Sequence, residues 1–168
     1  MKFRSTRTRH RCSIFAALPL VALFTCTAIA TDERSVFTKA IASSRIWGFM
    51  EILRNSGLPE ESVDHDVTLL IPIDTAFYKL TPERYKALLS PKNKEFATRY
   101  IRAHVVKGRW TIAQLAGGGH QTLDGGEITV VQSDSGKLPK VNGCPVVLFD
   151  QDSSTGMFNL IDGFLLKE

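Results

Sequence analysis

Val67-Thr68-Leu69-Leu70-Ile71, ended by Pro72, is β-type throughout and does not alternate apolar with polar residues. A strand with one wet face shows a period of two, so a run without it reads as a strand buried on both faces. The rest of the chain must supply that cover.

The segments before and just after this strand read as helical. Val36, Phe37, Ala40 and Ile41 share one helix face, and Ile46, Trp47, Phe49, Met50 and Leu53 form a second stripe, with a joint near Ser43-Ser44. Asn55-Ser56-Gly57 stops that segment, with Gly57 suited to the left-handed C′ position and Pro59 just beyond. After the strand, Asp74 is expected to N-cap a short helix running to Leu80. Thr81-Pro82-Glu83 and Ser90-Pro91 are further helix starts. The last of these helices places Phe96, Ala97, Tyr100, Ile101 and His104 on one side and Lys92, Arg99 and Arg102 on the other.

From Val105 the texture changes. Thr111 caps a short turn that ends at Gly117-Gly118-Gly119. β-type runs follow at His120–Leu123, Glu127–Gln132, Lys137–Val141, Cys144–Phe149, Met157–Ile161 and Phe164–Leu166. Asp124-Gly125-Gly126 and Asn142-Gly143 are hairpin-type turns. A helical N-terminal half followed by a mainly antiparallel β C-terminal half indicates an α+β fold. The length of 168 residues indicates one domain.

Residues 1–30 read as a cleaved secretory signal peptide. Lys2, Arg4, Arg7, Arg9 and Arg11 precede an apolar run from Ile14 to Phe24, and Ala28-Ile29-Ala30 offers small residues for cleavage. That run falls short of the roughly 20 residues a bilayer span needs, so no transmembrane span is expected in the mature form. The mature chain is then 31–168, exported to the periplasm or the extracellular space. Five of the 21 basic residues leave with the signal, so the net charge changes from +4 to −1. The basic balance belongs to the leader, and no nucleic-acid partner is indicated. Cys144 is the one cysteine past residue 30, so the mature chain has no intramolecular disulfide and must rely on its apolar core.

Charge within the mature chain is segregated. Residues 79–109 hold nine basic and two acidic residues, whereas 31–78 hold four and eight. Lys92, Arg99, Arg102, Lys107 and Arg109 are the candidate surface for an anionic polysaccharide or envelope component.

Several segments together resemble a known family. Thr68-Leu69-Leu70-Ile71-Pro72-Ile73-Asp74-Thr75-Ala76-Phe77 resembles the first signature box of the fasciclin-like (FAS1) domain, and Gly156–Leu166 resembles the second. Between them His104-Val105-Val106-Lys107-Gly108, Thr122-Leu123-Asp124-Gly125 and Val141-Asn142-Gly143 resemble further family segments, in order. The resemblance implies a β-wedge or sandwich with helices packed around it. It also implies a non-enzymatic module for cell adhesion or matrix interaction, with Pro72, Asp74, Phe77, His104, Asn142, Gly143 and Asp162 as structural motif positions. Two positions depart from the family pattern: Ala103 stands where a tyrosine often adjoins the histidine, and Asn159 where a histidine is common.

Physically, Asp162 beside Gly163 is expected to bond backbone N–H groups in a turn between two strands. His104 is expected to be a hydrogen-bonded core residue. No catalytic motif stands out: there is no Gly-x-Ser-x-Gly elbow, and Gly117-Gly118-Gly119 lacks a following Lys-Ser/Thr. Asp150-x-Asp152-x-Ser154 begins like a calcium loop, but Ile161 stands where its bidentate glutamate belongs. No catalytic residue, cofactor or metal ion is indicated. Self-association or a protein partner fits the adhesion reading. The alternative is a periplasmic small-ligand-binding protein with a cleft between the helices and the wedge.

Overall fold

A computed structural model describes residues 36–43, 46–59, 63, 65–132 and 137–166. All lie in the unit that runs from Asp32 to Glu168. The segment 1–30, expected to be an export signal, lies outside the described residues.

The described chain begins with two helices, α1 (Val36–Ser43) and α2 (Trp47–Ser56), followed by strand β1 (Val67–Pro72). Helices α3 (Asp74–Phe77), α4 (Pro82–Leu89) and α5 (Lys94–Ala103) come next, with a 3-10 turn at Pro91–Asn93 leading into α5. Strand β2 (Val105–Lys107) and helix α6 (Ile112–Leu115) precede β3 (Val130–Val131), β4 (Lys140–Val141), β5 (Cys144–Asp152) and β6 (Gly156–Ile161). The strands form one curled sheet in the order β2-β1-β6-β5-β4-β3. Helices thus dominate the front half and strands the back half, an α+β arrangement.

Every residue of β1 and of β6 is buried. The two strands lie side by side and parallel, in register from Val67 opposite Gly156 to Pro72 opposite Ile161. β2 flanks β1 antiparallel, and β5 flanks β6 antiparallel. The sheet is therefore mixed, with its parallel pair joining the two halves of the chain.

The non-alternating composition of β1 follows from what covers it. Leu69 and Ile71 join a core with Phe37, Phe49, Leu53 and Ile101 from the helices, together with Phe158 and Leu160 from β6. Leu70 points into a second core with Val106, Ile112, Leu115, Ile128, Val141 and Val146. A strand between two cores needs apolar side chains at odd and even positions alike. The polar member, Thr68, is fully buried but satisfied. Its hydroxyl donates to the Gly108 carbonyl (2.7 Å) and accepts from the Trp110 N–H (2.8 Å). An unpaired hydroxyl there would carry a desolvation cost of about 1–3 kcal/mol.

Several sequence expectations change on folding. His120–Leu123 and Glu127–Gln132 supply only isolated bridges and the two-residue β3, and Lys137–Val141 supplies only β4. Phe164–Leu166 is not a strand. The Leu165 N–H that a ladder would use donates instead to His104 Nε2 at 3.3 Å. Asp74 does not cap its own helix: Ile73 is the N-cap of α3, and no side chain bonds there. Among the described residues no helix is long and apolar enough to cross a membrane.

Candidate functional site

The basic segment folds as the 3-10 turn, α5 and β2, and only part of it converges. Arg99 and Arg102 stand three residues apart on the exposed face of α5, while Ala97, Tyr100, Ile101 and Ala103 of the same helix are buried. Residues three apart on a helix are surface neighbours. An open groove of about 450 Å3 runs between this face and Leu123-Asp124, lined also by Lys94, Glu95 and Thr98. A second hollow of about 310 Å3 shares Arg99 and Asp124 and extends to Glu127, Asn142 and Leu165. Lys94, Arg99 and Arg102 therefore line the helix side together with one acid, Glu95, and the carboxylates of Asp124 and Glu127 stand on the turn side.

The other basic candidates lie outside both hollows. Lys92 is exposed in the 3-10 turn, and Lys107 is exposed at the end of β2. Arg109 is committed internally. Its guanidinium pairs with Asp152 and donates to the Ser153 carbonyl (2.7 Å) and the Ser154 carbonyl (3.2 Å), tying the β5–β6 hairpin to the end of β2. The five candidate cations thus mix exposed side chains with one, Arg109, that is already paired.

The turn that walls the groove is built from local chemistry. The Thr122 N–H donates to the Gly126 carbonyl (2.8 Å), and the Asp124 carboxylate accepts from the Gly126 N–H (3.2 Å). Beside it, Asn142 and Gly143 both have positive φ, 48° and 85°, as a two-residue hairpin turn between β4 and β5 requires. The Asn142 side chain then bridges to the neighbouring segment. Its Oδ1 accepts from the Thr129 N–H (2.7 Å) and its Nδ2 donates to the Glu127 carbonyl (3.0 Å).

His104 closes α5 beneath the groove and is fully buried. Its Nε2 accepts from the Leu165 N–H, so its Nδ1 must carry the proton it donates to the Tyr100 carbonyl (2.8 Å). Burial lowers its pKa to about 4, against smaller opposing effects of the Tyr100 hydrogen bond and of Asp124. The imidazole is a neutral backbone bridge at neutral pH, with both nitrogens occupied. Tyr100 stacks against it with ring centroids 4.6 Å apart. The Tyr100 hydroxyl is buried without a hydrogen-bond partner among the described residues, and burial raises its pKa well above the ordinary value, with Cys144 adding to the rise. His120 Nε2 lies 3.3 Å from the Gln114 carbonyl oxygen, and its ring packs on Trp110.

The remaining motif positions hold elements together. Pro72 ends β1 opposite Ile161, and Phe77 packs edge-on against Tyr85 and Phe164. The Asp74 carboxylate accepts from the Gly48 N–H of α2 (3.0 Å). Among the described residues, Asp162 accepts from no backbone N–H, contrary to what its place beside a glycine suggests. Its carboxylate pairs with Lys79 (2.6 Å), which folding brings over the strand end. The two carboxylates of the calcium-like segment are also engaged: Asp150 accepts from the Ile112 N–H (2.7 Å), and Asp152 pairs with Arg109. Asn159, in the buried β6, accepts from the Asp150 N–H (2.8 Å) and holds that residue in its left-handed conformation.

The fold and these motif positions define a fasciclin-type module, and residues 44–167 match the fasciclin domain family. The chain belongs to that family. Protein sll1483 of Synechocystis sp. is 34% identical over 139 residues, covering 82% of this chain and 76% of that protein. The fasciclin-like arabinogalactan protein CTB11 of Cercospora beticola is 31% identical over 146 residues, and the match spans 83% of this chain but 37% of that longer protein. Among solved structures, a FAS1 domain pair from the insect cell adhesion molecule fasciclin I superposes with a TM-score of 0.68 at 18% identity. That match covers 80% of this chain and about half (51%) of the pair.

Proposed function

We propose that the mature chain, residues 31–168, is an exported, non-catalytic interaction module that holds an anionic polysaccharide or envelope surface against α5. The observation that carries this reading is the pairing of Arg99 and Arg102 on one open groove wall, with Lys94 beside them. Exposed guanidinium groups suit sulfate, carboxylate and phosphate oxygens because their planar donors meet two acceptors at once. Asp124 and Glu127 on the facing wall repel a densely charged chain that sits too deep, which favours a ligand lying along the helix. The adhesion molecule and the arabinogalactan protein among the matched proteins support the same general role. A non-catalytic role agrees with His104, whose two nitrogens are both taken by backbone atoms.

The test is retention of the purified protein on sulfated, carboxylated and neutral polysaccharide matrices at low and moderate salt. Salt-sensitive retention on an acidic matrix, abolished by R99E/R102E, is the expected result. Equal retention of that variant and the parent would remove the groove from consideration.

A further inference from the structure

A different pocket, of about 490 Å3, opens among α2, α3 and α4 and shares no lining residue with the α5 groove. Four aromatic rings line it: Trp47, Phe77, Tyr78 and Tyr85. Three of them are left in water, Trp47 at 71% exposure, Tyr78 at 86% and Tyr85 at 36%. Large aromatic side chains gain from burial, so several of them exposed around one concavity are an unusual use of surface.

The charge of the pocket is as selective as its rings. Among the described residues of its wall, Asp74 is the one ionisable acid or base apart from the tyrosine phenols. Its Oδ1 accepts from the Gly48 N–H, and its Oδ2 accepts no hydrogen bond from the described residues. Lys79, next in sequence to Tyr78, is held by Asp162 at 2.6 Å and does not line the pocket. The floor is preformed. A Cβ on Gly48 would lie 2.8 Å from Phe77 Cε2, so the missing methyl is what lets that ring lie against α2. Tyr85 and Phe164 then hold the Phe77 ring edge-on, with centroids 5.9 and 5.2 Å away.

Aromatic faces carry partial negative charge and attract a cation, most effectively one that cannot hydrogen-bond to water. A carboxylate beside the rings adds the full counter-charge, and no lysine or arginine among the described residues of the wall competes for it. Anions are repelled here, and a neutral ligand gains the rings but not the carboxylate. We propose that this pocket binds a quaternary ammonium group of the choline type, with Trp47, Tyr78 and Tyr85 supplying ring faces and Asp74 the counter-charge.

Titration calorimetry of the full protein with choline, and with 3,3-dimethylbutanol as its neutral isostere, tests the proposal. Choline should bind saturably, with the neutral isostere weaker by about tenfold or more. W47A and Y78A should each weaken choline binding by a similar factor; both side chains are exposed, so folding is preserved. D74N keeps an oxygen for Gly48 while removing the charge, and should lower affinity with only a small loss of stability. Phosphatidylcholine vesicles distinguish the source of the group. Vesicle binding competed by free choline assigns a lipid headgroup, and choline binding without vesicle binding assigns a free solute. Absence of saturable choline binding, equal affinity for the neutral isostere, or full affinity in both W47A and Y78A would each overturn the proposal.

Discussion

The carboxylate of Asp74, at the start of α3, caps the N-terminus of α2 by accepting a hydrogen bond from the Gly48 N–H at 3.0 Å. α2 needs this long-range partner because its own N-cap, Ile46, has no side chain able to bond the unsatisfied N–H groups of the first turn. The residue that ends the β1–α3 connection therefore also sets where α2 packs.

Removal of that cap should be measurable. D74A is expected to lower stability by about 1–2 kcal/mol, since it leaves a partly buried N–H without an acceptor. D74N should recover most of the loss. Urea unfolding followed by circular dichroism separates the two; equal losses in D74A and D74N would show that charge rather than acceptor geometry matters.

His104 makes stability depend on pH. Its pKa is about 4 when folded and close to 6.5 when unfolded. Below 6.5 the unfolded chain takes up a proton that the folded chain refuses, so stability is full above about 6.5 and falls as the pH drops toward 4. The loss is on the order of 3 kcal/mol over that window. Urea midpoints at pH 7, 5.5 and 4.5 should fall accordingly, and H104Q, which cannot titrate there, should show a flatter profile from a lower starting stability.

Tyr100 buries a hydroxyl that has no hydrogen-bond partner among the described residues. Y100F removes the polar atom and keeps the ring against His104 and Phe164. The substitution should be neutral or stabilising, by up to about 2 kcal/mol, because the hydroxyl is desolvated without compensation. A clear drop in the midpoint of thermal unfolding would show that the hydroxyl is satisfied in solution.

Arg109 and Arg99 should respond in opposite ways. R109A deletes the bonds to Asp152, Ser153 and Ser154 and should cost roughly 1–2 kcal/mol, while leaving retention on acidic polysaccharide nearly unchanged. R99A should leave the unfolding midpoint nearly unchanged and weaken retention. Chromatography and denaturation of the two variants in parallel decide whether the basic run acts as one surface or as two separate functions.

Much of the fold is legible in particular residues. The non-alternating Val67–Ile71 run marks a strand between two cores, and Gly156–Ile161 fills the same role beside it. Thr111 caps its short helix as expected, with Gln114 completing a capping box, and Asn142-Gly143 turns the chain where a hairpin dipeptide should. What escaped was pairing at a distance. A parallel partner for β1 lies about ninety residues later in the chain, and local periodicity carries no trace of it. The aromatic pocket was missed for a related reason. Trp47 sits in an apolar stripe that reads as core, and only packing shows that its ring faces water.

The sequence by itself determined where the chain turns from helix to strand, the Asn142-Gly143 hairpin turn and the burial of β1, because propensity, capping and apolar spacing act over a few residues. The tertiary structure alone decided what each polar side chain meets. Asp74 meets Gly48, Asp162 meets Lys79, Arg109 meets the β5–β6 turn, and His104 meets the backbone of Leu165. A hydrogen bond or ion pair requires its partner within about 3–4 Å, and that proximity is created by the packing of distant segments rather than by the chain's local preferences.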